Sequence, residues 1–238
     1  MLYICLWLLF STIDERRTSM FCEEDTVIEL KNVGKKLAEE WVLKNITLNI
    51  EEGGIYGFVG QNGSGKTMLF RAILGLIHLT EGECYVDGHK VDFDHLPKDV
   101  GLLLEEPAFL PYLSGTQNLK LLSYLKSEIT DKEISDMMNK VGLAKAKNKA
   151  YGKYSLGMKQ RLGLALAFLH APRLIILDEP TNALDSQGIE ILVQLLKIYA
   201  SKERIILIAS HDERFLSQVT NRLLYMCKGK ITNTFEPT

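Results

Sequence analysis

One stretch constrains this chain more than any other, Gly60-Gln61-Asn62-Gly63-Ser64-Gly65-Lys66-Thr67, because of what flanks it. Before it runs Gly54 to Val59, a nearly continuous apolar segment of the length expected for a central strand. After it, Met68 to Leu74 reads as a helix that Gly75 ends. Strand, glycine-rich turn and helix in that order make a phosphate-binding P-loop. Its glycines let backbone N–H groups turn inward, and the helix N-terminus adds positive dipole. Gly60, Gln61, Asn62, Gly63, Ser64 and Gly65 are therefore the expected phosphate cradle, Lys66 the group that reaches the β- and γ-phosphates, and Thr67 a ligand for Mg²⁺. A plain glycine turn with a solvated lysine is the alternative, and it leaves both flanks unexplained.

The rest of the chain reads as an α/β succession. Val27 to Leu30 and Ile46 to Ile50 predict short strands, and Gly82 to Val91 predicts a hairpin about Asp87-Gly88. Strand signals then stop. Ser114 with Gln117, and Thr130 with Glu133, are capping boxes for helices near 115–126 and 131–141. The loop Gly142 to Tyr154 and an apolar helix, Met158 to His170, follow. Strands return at Leu174 to Leu177 and Ile205 to Ala209, separated by a helix that begins after Asp185, which gives parallel strands. Ser210 with Glu213 predicts the cap of the next helix, and Leu223 to Met226 and Lys230 to Thr232 read as closing strands.

Composition adds exclusions. With 24% charged residues and a net charge of -2, the chain is neither a disordered polymer nor a strongly nucleic-acid-binding one, so no nucleic acid partner is expected. Its four cysteines stand far apart with no CxxC pair, against a zinc site or a disulfide framework. No run approaches the ~20 apolar residues of a spanning helix. The longest is Met1 to Phe10, which lacks the basic flank of a signal peptide. Residues 1–26 are expected to be an extension outside the fold, with 1–19 arising from an upstream start codon and Met20 as the natural start; a membrane-surface anchor is the rival. Residues 27–238 are expected to form a single domain.

A second chemical motif is Leu174 to Pro180, LIILDEP, which delivers two adjacent carboxylates at the C-terminal end of a strand, where ligands bind in α/β sheets. Alternation along the strand separates them. Asp178 is expected to hold Mg²⁺ through water, and Glu179 to polarise an attacking water as general base.

Between these motifs lies Tyr154 to Arg161, YSLGMKQR, a serine and a glycine at a helix start that present a hydroxyl, N–H groups and a dipole to an anion. With the P-loop upstream and LDEP downstream, the chain resembles the ATP-binding subunit of ABC transporters. That family's signature reads LSGGQ, a variable residue, then QR. Here Ser155, Gly157, Gln160 and Arg161 are kept, while Leu156 and Met158 replace the first glycine and the glutamine. The resemblance implies a P-loop core with a mainly parallel sheet, a small antiparallel β subdomain and a helical insertion at about 109–164. It implies ATP and Mg²⁺ as ligands, a head-to-tail pairing of nucleotide-binding subunits, identical or not, and a separately encoded permease. It places the chain in the cytoplasm, peripheral on the inner face of the cell membrane. Ser155 and Gly157 then contact the γ-phosphate held by the opposite subunit. Asp185, in Asn182-Ala183-Leu184-Asp185, crosses between subunits, with a helix N-cap as its other reading. His211 is the switch histidine near the γ-phosphate.

Two departures mark the branch. Glu105 stands where the family has a glutamine that touches Mg²⁺ and water, which puts an oxygen ligand and a negative charge beside the phosphates. Glu105, the Glu-Pro-Ala-Phe after it and the YSLGMKQR spelling resemble exporters of bacteriocin and lantibiotic self-protection and of bacitracin resistance. Sequence drift, or a solvent-facing acidic pair with Glu106, is the alternative. Leu37 occupies the position where an aromatic residue stacks on adenine, and offers apolar contact without a π-face; Trp41 is a substitute or a structural tryptophan. Permease contact is expected around Phe109 to Tyr112, against a plain core role for both aromatics. The rival functions are an ABC-type ATPase without a permease and a nucleotide-dependent regulator.

Overall fold

A computed structural model describes residues 27–104, 109–124 and 129–236. The expectations for residues 1–26 lie outside these. Three strands come first, β1 (Ile28–Leu37), β2 (Glu40–Ile50) and β3 (Gly54–Val59), then helix α1 (Lys66–Ile73), and β4 (Glu81–Val86), β5 (His89–Lys90) and β6 (Val100–Leu103). Helices α2 (Gly115–Tyr124), α3 (Asp131–Lys140) and α4 (Leu156–Phe168) follow, with two 3₁₀ turns between α3 and α4. The chain closes as β7 (Leu174–Asp178), α5 (Ser186–Tyr199), β8 (Ile205–Ser210), α6 (Glu213–Val219), β9 (Arg222–Cys227) and β10 (Lys230–Phe235).

Two sheets form. The larger has the order β10-β9-β3-β8-β7-β6, parallel from β9 to β6 with β10 antiparallel at one edge; the smaller is the antiparallel set β2-β1-β4-β5. The larger sheet separates two cores, and strands β3, β6, β7, β8 and β9 feed both by alternation. Ile175 and Leu177 of β7 join Ile206 and Ile208 of β8 in a core shared with α4 and α5. Leu174, Ile176, Ile205 and Leu207 join the opposite core, with Phe58, α1 and the smaller sheet. This is why these strands read as unbroken apolar runs: both faces are buried.

Three expectations need correction. β6 belongs to the sheet, although no strand was predicted between Val91 and Leu174. Its pattern is short and broken by Gly101, which is required because a Cβ there would stand 1.9 Å from the Ala167 carbonyl oxygen of α4. β1 runs on to Leu37, past bulges after Leu30 and Val33 that break its alternation. The cap of α6 is Asp212, whose carboxylate accepts from the Phe215 N–H, rather than Ser210 with Glu213. Ser210 instead ends β8, and its hydroxyl accepts from the Asp212 N–H at 3.0 Å. The two predicted capping boxes are present, with Ser114 and Gln117 bonded reciprocally, and Thr130 and Glu133 likewise.

Candidate functional site

β3, β7 and β8 end side by side, and their C-terminal ends gather the predicted groups. The P-loop bends between β3 and α1. Gly65 caps the helix at φ 107, a left-handed conformation that favours glycine, and a Cβ there would lie 2.8 Å from the Val42 carbonyl oxygen. Gly63, at φ 80, has open space around it, while Gln61, Asn62 and Gly63 are exposed. Ser64 is buried, and its hydroxyl has no hydrogen-bond partner among the described residues. A buried hydroxyl in a loop of inward-turned backbone suits an anion with oxygens to accept from it.

Lys66 is only 5% exposed. Its ammonium donates to the Gly60 carbonyl and, at 3.3 Å, to that of Gln61. It also pairs with Glu179 Oε1 at 3.4 Å. Thr67 Oγ1 donates to Asp178 Oδ2 at the buried end of β7. His211, just past β8, meets Glu179 Oε2 through Nδ1 at 2.9 Å. An ionised carboxylate only accepts, so Nδ1 carries the proton in that bond. Five predicted residues therefore gather at these strand ends as two neighbouring sets, Lys66 with Glu179 and His211, and Thr67 with Asp178.

Glu179 sits at φ 46, which is unusual for a residue with a side chain and more so before a proline, which biases its neighbour towards extended backbone. Its N–H donates to the Ala209 carbonyl at 2.8 Å, which holds it against β8. Such conformations cost about 1–3 kcal/mol and persist where the surroundings impose them, often at functional sites.

Ser155, Gly157 and Asp185 form a second group. Ser155 caps α4, its hydroxyl accepting from the Met158 N–H at 3.3 Å, and Asp185 caps α5, accepting from the Gly188 N–H at 2.8 Å. The N-cap reading of Asp185 thus holds. Both caps are exposed. Gly157 faces the Ala183 carbonyl oxygen, 2.9 Å from where a Cβ would stand, so the first turn of α4 packs on the turn that follows Glu179.

Leu37 ends β1, 49% exposed, near Trp41, which is half-buried with the Lys36 ammonium 4.8 Å from its ring centroid. Phe109 is core, packed edge-on against Tyr151, whereas Tyr112 is 73% exposed. The two expected contact aromatics therefore have different environments. Glu105 lies outside the described residues. Two contributors had no clear sequence signal. Ser210 donates to Glu179 Oε2 at 3.5 Å, and its position directly before His211 was the available hint. Gly229, in the β9–β10 turn, donates its N–H to the Ser64 carbonyl at 2.9 Å and accepts from the Lys44 N–H at 2.8 Å, which braces the P-loop from behind.

Among the described residues no helix is long and apolar enough to cross a membrane. A family model described as "ABC transporter" matches residues 43–182. The lantibiotic transport ATP-binding protein SrtF of Streptococcus pyogenes is 32% identical, over 86% of this chain and 89% of its own length. The bacitracin transport ATP-binding protein BcrA of Enterococcus faecalis is 38% identical, over 86% of this chain and 68% of its own. A dimeric, post-hydrolysis structure of the ATP-binding cassette MJ0796 bound to ADP and Pi superposes with a TM-score of 0.79, at 28% identity, covering 89% of this chain and 99% of that one.

Proposed function

This chain belongs to the ABC transporter family, and on that premise we propose that its ATP hydrolysis powers a separately encoded permease that exports an antimicrobial peptide or similar amphiphile. The observation that carries the reading is the gathering of Lys66, Thr67, Asp178, Glu179 and His211 at the ends of three parallel strands. ATP binds through the P-loop, residues Gly60 to Thr67. Lys66 neutralises the β- and γ-phosphates, which compete with Glu179 for its ammonium. Glu179 takes the proton of the attacking water, and the bond from His211 fixes which way its carboxylate points. Thr67 and Asp178 offer a hydroxyl and a carboxylate oxygen side by side, which suits a hard divalent cation. Mg²⁺ held there would neutralise charge on the β- and γ-phosphates. Glu105 adds a further carboxylate to this set.

Two subunits pair head to tail, so that Ser155, Gly157 and Asp185 of one complete the nucleotide site of the other. The exposure of both caps favours this, since they satisfy their own helices and still face outward. Residues 27–238 act as one ATPase domain on the inner face of the membrane, with the helical insertion at about 109–164 and exposed Tyr112 turned towards the permease.

Deleting the coding sequence tests the cargo. Susceptibility of the host to bacitracin and to lantibiotics should rise, and a Lys66→Ala copy should fail to restore resistance. Unchanged susceptibility to these peptides would refute peptide export.

A further inference from the structure

The hydrogen bond between Gln160 and the residue after Glu179 has no part in the mechanism above. Gln160 Nε2, in the second turn of α4, donates to the carbonyl of buried Pro180 at 3.2 Å. Pro180 follows the one residue of the network whose backbone is strained, Glu179 at φ 46. A left-handed residue before a proline relaxes unless restrained on both sides. On the N-terminal side the restraint is Glu179 N–H to the Ala209 carbonyl, at 2.8 Å. On the C-terminal side it is the Asn182 N–H donating back to the Glu179 carbonyl at 3.1 Å, together with Gln160 on Pro180. Proline has no N–H and a fixed φ, so its carbonyl is the only handle it offers.

We propose that Gln160 is a positioning residue that sets the Glu179 carboxylate and links it to the Ser155–Gly157 end of the same helix. One turn before Gln160, Gly157 abuts the Ala183 carbonyl, and Ala183 is a second left-handed non-glycine residue, at φ 63. The first turns of α4 thus touch the Glu179–Asp185 turn at two carbonyls, that of Pro180 next to Glu179 and that of Ala183 itself. A shift of α4 of a few tenths of an ångström moves Pro180, and with it Glu179. If Ser155 and Gly157 touch the partner's nucleotide, as proposed above, Gln160 carries the state of one nucleotide site to the catalytic carboxylate of the other. This second half rests on the two-subunit reading; the link to Glu179 does not.

The test uses three variants of the full chain. Gln160→Met keeps the length and loses the donor, Gln160→Glu replaces the donor with an acceptor, and Gln160→Lys restores a donor. Met and Glu should lower kcat about tenfold, the worth of one hydrogen bond at the transition state, with the Kd for ADP within about twofold. Lys should recover kcat to within about threefold of wild type, and the Hill coefficient for ATP should fall towards one in Met and Glu only. Equal losses in all three variants, wild-type kcat in Met and Glu, or a Kd that moves as far as kcat would each overturn the positioning role. The two-subunit reading is measured separately, as ATP-driven dimerisation of a Glu179→Gln chain. If that chain stays monomeric, the cross-site half falls, and the kcat results still decide the link to Glu179.

Discussion

The network around Lys66 and the group around Ser155 differ in how their polar atoms are satisfied. Lys66 and Asp178 are buried, at 5% and 7% exposure, and each meets a partner far away in sequence, Glu179 and Thr67. Ser155 and Asp185 are exposed, and each bonds only one turn ahead, as a helix cap. The first region is assembled by the fold and is largely organised before any ligand arrives. The second costs the fold almost nothing beyond two good caps, so its chemistry can be directed outward. On the proposed function, a side chain in the first region governs nucleotide binding and chemistry within one chain. On the same proposal, one in the second governs a step that begins only when two chains meet.

Substitutions can break that contrast. The largest effect is expected for Lys66→Ala, which should lower ATP turnover by about a thousandfold and abolish nucleotide binding, read by phosphate release and by calorimetric titration with ADP. Glu179→Gln should cost about a hundredfold in turnover while ATP binding persists, as expected when a general base is removed. Loss of ATP affinity in that variant would mean that Glu179 holds the loop together rather than acting on water. Ser155→Ala should lower turnover about tenfold with an unchanged Kd for ADP. Loss of its cap should also take about 1 kcal/mol from stability, a fall of about 2–4 °C in Tm. Asp185→Asn gives the smallest and sharpest result, because asparagine caps as well as aspartate. Stability should stay level, and turnover should drop no more than about fivefold, the worth of an exposed charge contact. A level Tm with wild-type turnover would show Asp185 to be a cap and nothing more.

Legibility in the sequence followed the same division. The P-loop and the Leu174 to Pro180 run were visible because central strands buried on both faces leave unbroken apolar runs, and the glycines that must turn are spelled out. The two capping boxes were visible because Ser114 with Gln117, and Thr130 with Glu133, are local pairs. What escaped depends on contacts distant in sequence. β6 is recognisable as a strand only through its partner β7, and Gly101 makes sense only once α4 lies over it. Gly229 props the P-loop from more than 160 residues away, and no local pattern marks it. Asp212 took the cap role expected of Ser210 because both are good cap residues two positions apart, and the helix begins after the second.

The larger sheet, lying between two cores, limits how such a chain can change over generations. Along β7, odd and even positions belong to different interiors, and the strand ends on Asp178, with Glu179 just past it in a left-handed turn. Deleting one codon at the start of β7 would turn its remaining side chains to the opposite interior and take Asp178 away from Thr67. β7 can therefore drift by substitution but not by insertion or deletion, whereas the exposed turns on either side of its neighbours tolerate both. Length variation among relatives should accordingly fall in those turns and be absent between Leu174 and Pro180.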